Sequence, residues 1–126
     1  MIKIHNLCVT ISALDCPNLH YKFDFSGFYN QYLAEECVRL FEQKYESGVS
    51  VTYLSVLSTA FTHFDDYLQA NQCTGIISYT ENERMRYYSH LNSLYKKDER
   101  VYSRNYIRFL AFVPRLLCGS EVPAYE

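Results

Sequence analysis

The sequence predicts a mainly α-helical domain, in which four helices share one core and follow a short β-hairpin or an extended arm. From residue 27 onward, apolar residues recur at steps of three and four, which is the spacing of one face of a helix. Before residue 27, apolar and polar residues alternate instead, as they do in strands. A chain of 126 residues is expected to form one domain with a single core of about four helices.

Residues 1–26 predict the hairpin or arm. Leu7, Val9 and Ile11 alternate with polar neighbours, and the stretch 19–25 repeats this pattern. Between them, the sequence Asp15-Cys16-Pro17-Asn18 is typical of a turn. Because two strands without a third are marginally stable, an irregular arm lying along the helices is the alternative to a hairpin.

The first helix is predicted from about Gly27 to Glu46, and it ends near Ser47-Gly48. Its buried side is expected to consist of Tyr29, Leu33, Cys37, Leu40 and Phe41.

The second helix, from Ser50 to Gln72, has the clearest pattern in the chain. Ser50 can cap the exposed amides of its first turn. His63 is interpreted as a surface histidine, and Asp65 and Asp66 are interpreted as solvated charges, because adjacent helical residues point about 100° apart and do not converge on one substrate. The apolar stripe of this helix is predicted to be Leu54, Leu57, Phe61, Phe64 and Leu68.

The third helix is predicted to begin at Thr80, which forms a capping box with Glu83. Its inward side chains are expected to be Met85, Tyr88, Leu91 and Tyr95. A fourth helix is predicted from about Glu99, and Pro114 is expected to kink or break it. The apolar face of this fourth helix is expected to consist of Tyr102, Tyr106, Phe109, Leu110 and Val113.

Positive charge is concentrated in one part of the chain. The net charge is −2, but residues 84–115 hold eight Lys/Arg and two Asp/Glu. Arg100, Arg104 and Arg108 lie four apart, and we expect them on the side of the fourth helix opposite its core. Arginine interleaved with tyrosine and asparagine is typical of surfaces that bind phosphates and base edges of DNA. A solvated helix face, or one docked on the acidic first helix, is the alternative.

The sequence does not indicate a cofactor or a catalytic centre. The five cysteines are odd in number, widely spread and without a CxxC pair, so we interpret them as reduced cytosolic thiols. No zinc, glycine-rich phosphate or nucleophile motif is present. No apolar run is long enough to cross a membrane, and the protein is expected to be soluble and cytoplasmic, with no metal, no cofactor and no membrane partner.

Three stretches together resemble the N-terminal core-binding domain of tyrosine recombinases and phage integrases, and the likeness covers about residues 27–118. The stretches are Tyr32-Leu33-Ala34-Glu35-Glu36, then the run from Val49 to Leu57, then the run from Phe61 to Leu68. The resemblance implies a SAM-like bundle of four helices that clamps duplex DNA. It also implies DNA contacts from Lys44, Ser50, Thr52 and Tyr53 at the second helix and from Arg100, Ser103, Arg104, Asn105 and Arg108 at the fourth.

The expected function is therefore that of a non-catalytic DNA-binding domain of a site-specific recombinase, used in DNA integration or recombination. The partners that the resemblance implies are double-stranded DNA and other recombinase protomers. Residues 119–126 would then be a tail or a linker to an absent catalytic domain. The alternative function is that of a stand-alone helical module of a mobile element, which docks its Arg/Tyr face onto an acidic protein partner.

Overall fold

The computed structural model of the chain describes residues 2–12, 19–75, 80–97 and 103–117. Its fold class is mainly α with a small N-terminal sheet, as predicted. The chain divides into two compact units, Met1–Ile76 and Ile77–Glu126. A single four-helix bundle is not confirmed. The elements are β1 (Ile2–His5), β2 (Cys8–Ser12), β3 (His20–Asp24), α1 (Gln31–Glu46), α2 (Val51–Ala70), α3 (Glu81–Lys97) and α4 (Arg104–Leu117).

The arm is an antiparallel sheet of three strands in the order β1-β2-β3. Pairing of β2 with β3 confirms the hairpin, and Ile4, Val9 and Phe23 face one another across the three strands. The predicted turn at Asp15–Asn18 lies outside the described residues. The third strand, β1, pairs with β2 through a tight turn in which Asn6 takes a φ of 55°. This additional strand supplies the pairing that an isolated hairpin lacks.

Phe41 of α1 lies at the centre of the core of the first unit. Its ring is 5.1 Å from the ring of Phe23, 5.0 Å from that of Phe25 and 6.0 Å from that of Phe61. These partners come from β3, from the turn after it and from α2, so one side chain connects the sheet to both helices. The contacts with Phe23 and Phe25 are edge-to-face, and such contacts add to the free energy gained by burying the rings.

The predicted core faces of α1 and α2 are confirmed for most residues. The apolar stripe of α2 is buried along its whole length, and Ser50 caps this helix by accepting a hydrogen bond from the Tyr53 amide at 3.1 Å. The residues predicted on the buried side of the first helix are buried, except Tyr29, which is half-buried and precedes α1. At the end of α1, Gly48 takes a φ of +93°, a conformation that side chains with a Cβ rarely adopt.

The prediction that α1 begins near Gly27 is wrong, because the helix begins at Gln31. Asn30 is the cap, and its side-chain oxygen accepts a hydrogen bond from the Leu33 amide at 3.0 Å.

The interpretation of Asp65 as a solvated charge is also wrong, since only 6% of this residue is exposed to solvent. Its two carboxylate oxygens accept hydrogen bonds from the backbone amides of Tyr29 at 2.8 Å and Asn30 at 2.9 Å. Those bonds hold the start of α1 against the middle of α2.

Cys37 is fully buried on α1, and this location gives a prediction about pH. Burial raises the pKa of its thiol well above the usual value, and the carboxylates of Asp65 and Glu36 raise it further. The folded protein therefore keeps this proton where the unfolded chain loses it, above about pH 8.5. The stability contributed by the neutral thiol is complete below that pH and is lost as the pH rises above it.

We expect the free energy of unfolding of the parent protein to fall more steeply between pH 8 and pH 10 than that of a Cys37→Ala variant. Urea unfolding at a series of pH values measures both slopes. The variant starts from a lower stability because it creates a cavity, so the slopes and not the absolute values are compared. Parallel pH profiles would contradict the prediction.

The second unit contains α3 and α4, which pack against each other. Thr80 caps α3 as predicted, accepting a hydrogen bond from the Glu83 amide at 3.3 Å. The predicted inward face of α3 is wrong in part, because Met85 and Tyr88 are exposed. Tyr95 lies in α3, but its side chain is outside the described part of the structure. The buried residues of this unit include Tyr87 and Leu91 of α3 and Ile107, Leu110 and Pro114 of α4.

The helix α4 also departs from the prediction. It begins at Arg104 and not near Glu99, because Ser103 is its cap and accepts a hydrogen bond from the Tyr106 amide at 3.2 Å. It continues through Pro114 to Leu117, so of the two expectations for Pro114, a kink or a break, the break is absent. Its buried stripe runs through Ile107, with Tyr106 and Phe109 only half-buried. Within the described residues, no helix is long and apolar enough to cross a membrane.

Candidate nucleic-acid interface

The predicted contacts of the second helix lie around the junction of α1 and α2 in the first unit. Lys44 is half-buried in the last turn of α1, and Tyr53 is half-buried in the first turn of α2. Ser50 and Thr52 are exposed, but the Ser50 hydroxyl already accepts the Tyr53 amide. Residues 1–76 carry four Lys/Arg against eight Asp/Glu, so this unit as a whole repels anions.

The predicted contacts of the fourth helix lie in the second unit. Ser103, Arg104, Asn105 and Arg108 are all exposed, whereas Arg100 lies outside the described residues. The Ser103 hydroxyl is engaged as the cap of α4. The two arginines and the asparagine occupy the first turns of the helix, where the free backbone amides and the positive end of the helix dipole also favour an anion.

The expected direction of the arginines needs a correction. They do not lie opposite the core stripe, because Ile107 is buried and sits about 60° from Arg104 around the helix at 100° per residue. Arg108 lies about 100° from Ile107 on the same side as Arg104, so both arginines lie on one side of the line along which α4 packs on α3. Both side chains stay accessible to solvent at the edge of that line.

A cleft of about 140 Å³ opens at this edge, between α3 and α4. Arg104 and Arg108 line one wall, and Lys96 near the end of α3 lines the other. Tyr88 and Asn92 add a hydroxyl and an amide to the α3 wall, and Ile107 is the apolar contribution from α4. Among the residues that the structure describes, no carboxylate lines the cleft. Its chemistry is that of a small anion site.

Three other described arginines of this unit contact groups away from the cleft. Arg84 pairs with Glu81 at 3.4 Å and Arg86 pairs with Glu83 at 3.0 Å, both in the first turns of α3. Arg115 is buried, with its guanidinium carbon 5.9 Å from the centre of the Phe112 ring. The acidic start of α3 thus offsets two arginines, and positive charge is concentrated at the other end of the helix, beside the start of α4.

Sequence reasoning missed the α3 wall of the cleft. Tyr88, Asn92 and Lys96 recur at four-residue spacing, which places them on one face of the helix. The helical pattern predicts Tyr88 on the inward side of α3, although Tyr88 is 37% exposed. A signal was present, since a face that combines tyrosine, asparagine and lysine is too polar to be buried.

The face of the sheet that carries Lys3, Thr10 and Lys22 is a further concave surface. It forms an open depression of about 600 Å³, with Lys3, Thr10 and Lys22 side by side across the three strands. Two hydrogen bonds from Ser26 and the charge of Lys22 lower the pKa of Asp24 on the same face. The charges are mixed there. In the described ranges, no group of three or more His, Cys, Asp or Glu side chains is arranged to hold a metal ion.

Comparisons with protein families, with characterised proteins and with solved structures find no match for the chain.

Proposed function

We propose that this protein is a non-catalytic DNA-binding protein, and that the second unit contacts the sugar-phosphate backbone of duplex DNA through the cleft and the first turns of α4. The observation that carries the proposal is the convergence of Lys96, Arg104 and Arg108 on one solvent-accessible cleft. Phosphates are bound by such clusters because each contact is charge-assisted and releases condensed counterions from the DNA. Asn105, exposed beside the arginines, is suited to a base edge in the major groove.

The finer proposal is that the protein is a core-binding domain of a tyrosine-type recombinase, with a SAM-like arrangement of four helices. It is supported by the resemblance of the stretches between residues 32 and 68 to that family and by the basic face of α4. On this proposal Lys44, Ser50, Thr52 and Tyr53 contact the same duplex as the residues of α4. Ser50 caps the first turn of α2, and backbone amides at the start of a helix are groups that bind phosphate.

The test is charge reversal at the cleft. We expect Arg108→Glu to weaken duplex binding by about tenfold or more at moderate salt and to reduce the slope of log affinity against log salt by about one. Arg86→Glu is the matched control, because it makes the same charge change on an exposed arginine at the other end of α3. Fluorescence anisotropy with a labelled duplex across a salt series measures both effects. Equal losses for the two variants, or no loss, would refute the cleft as the DNA contact.

A second candidate function is supported by apolar exposure on the same unit. Met85 is 55% exposed and Phe112 is 41% exposed, and large apolar side chains on a surface often mark a protein interface. On this reading the Arg/Tyr face docks on an acidic protein partner. Capture of such a partner by the parent protein but not by Met85→Lys, together with no salt-sensitive shift of duplex DNA, would favour the second function over the first.

A further inference from the structure

The cleft is built from two helices, which distinguishes it from a flat DNA-binding helix face. Tyr88, Asn92 and Lys96 approach it from α3, and Arg104 and Arg108 approach it from α4. An extended backbone contact needs only exposed cations along one surface. A concave site with groups on both walls instead surrounds a ligand, and ligand sites in proteins are typically concave with a few converging polar groups.

The charge of the cleft fits a dianion better than a single negative charge. Three cationic side chains line about 140 Å³, and no described carboxylate lines it. An internal phosphate of a nucleic acid is a diester with one negative charge. Its two bridging oxygens connect it to nucleotides on both sides, so the strand must both enter and leave the site. A phosphate monoester carries about −1.5 to −2 charges at neutral pH and presents three terminal oxygens from a single attachment point.

The uncharged groups of the cleft also fit a monoester. The guanidinium groups of Arg104 and Arg108 can each donate two parallel hydrogen bonds to phosphate oxygens. The Asn92 amide and the Tyr88 hydroxyl supply further donors on the facing wall, and the Lys96 ammonium supplies a mobile point charge. The volume holds several water-sized groups, which is room for a phosphate group.

We infer that the cleft between α3 and α4 binds a terminal phosphate monoester, such as the phosphorylated end of a nucleic acid strand. The monoester chemistry stands on the cleft alone, whereas its assignment to a DNA end rests on the proposed function. Binding is reversible and no bond is made or broken.

The first experiment uses the full chain and two duplexes of the same sequence, one with 5′-phosphates and one with 5′-hydroxyls, with 3′-phosphorylated duplex as a further arm. We expect about tenfold tighter binding of a phosphorylated end, and we expect inorganic phosphate to compete for that difference. Nuclear magnetic resonance titration with inorganic phosphate should shift the amides of Asn92, Lys96, Arg104 and Arg108. No shift by phosphate together with no preference for any phosphorylated end would overturn the inference.

Two variants separate the cleft from the general charge of the unit. Asn92→Leu replaces the amide with an apolar side chain of similar size without changing charge, and Tyr88→Phe removes one hydroxyl from an exposed ring. Both should abolish or reduce the end preference and the phosphate shifts, and they should weaken the binding of hydroxyl-ended duplexes by less than that of phosphorylated ones. Asn82→Leu, at an exposed position in the first turn of α3 and outside the cleft, is the control.

The outcomes distinguish the inference from the proposed function. If the duplex binds in a salt-sensitive way that Arg108→Glu abolishes, but end chemistry and phosphate have no effect, the monoester site is refuted and DNA binding stands. If inorganic phosphate binds and Asn92→Leu abolishes this, while no duplex binds, the monoester site is supported, its source is a small phosphorylated molecule, and the proposed function fails.

Discussion

Replacing Phe41 by alanine is expected to lower the free energy of unfolding of the first unit by about 3–5 kcal/mol. The side chain is fully buried and contacts aromatic rings from β3, from the turn after it and from α2. Truncation therefore removes the transfer free energy of a whole ring and leaves a cavity whose walls belong to three different elements. Because strands and helices meet there, those walls cannot close the cavity by moving a single side chain.

Hydrogen exchange of the α1 and α2 amides, with urea unfolding alongside, measures the loss within this unit. Tyr32→Ala is the matched control, since it removes an aromatic ring from the same helix at a position that is 47% exposed, and it should change stability by less than about 1 kcal/mol. Phe41→Leu should fall between the two variants. A Phe41→Ala protein as stable as Tyr32→Ala would show that the ring cluster is not the core of the unit.

The parts of the fold that the sequence predicts well are those where the pattern has one solution. The α2 stripe is five aliphatic or phenylalanine side chains with polar residues on the far side, so only one face can be buried. The caps at Ser50 and Thr80 follow local rules, because a hydroxyl at the first turn satisfies an amide without help from distant residues.

The buried face of α3 was predicted less well because two sets of residues with the same spacing fit that helix. In α3, Met85 and Tyr88 have the same spacing as Arg84 and Tyr87, shifted by one residue. The tyrosines do not decide between them, since each has an apolar ring and a polar hydroxyl and is found both buried and exposed. The structure buries Tyr87 completely, and the spacing of residues along α3 does not by itself select it.

The candidate site was predicted on one side only. Regular spacing identified Arg104 and Arg108 from the sequence, and the structure places both at the cleft. The facing residues Asn92 and Lys96 become part of the site through the packing of α3 on α4, which residue spacing within one helix does not reveal.

The strand β1 was not predicted, although Ile2 and Ile4 alternate with polar residues. A strand of four residues is a weak signal in the sequence without the strand that it pairs with.

Asp65 illustrates the limit of pattern reasoning most directly, and it provides the second large prediction. A carboxylate beside another carboxylate on a helix is normally solvated, yet Asp65 is buried and Asp66 is exposed. Its partners are the backbone amides of Tyr29 and Asn30, more than thirty residues earlier in the chain. Asn30 in turn donates its side-chain amide to the carbonyl oxygens of Cys73 at 2.9 Å and Gly75 at 3.0 Å. One network thus ties together the start of α1, the middle of α2 and the segment after α2.

We expect Asp65→Asn to lower the free energy of unfolding of the first unit by about 2–4 kcal/mol. Each hydrogen bond to a charged group contributes about 1.5–3 kcal/mol, and the replacement amide can accept one backbone amide but must present its own NH₂ group to the other. Asp66→Asn removes the same charge from the next, exposed residue and should change stability by less than about 1 kcal/mol. An Asn30→Ala variant combined with Asp65→Asn should lose less stability than the two single losses added together, because both residues act in one network. Equal stability of the Asp65→Asn and Asp66→Asn proteins in urea unfolding would show that the buried carboxylate does not fix the start of α1.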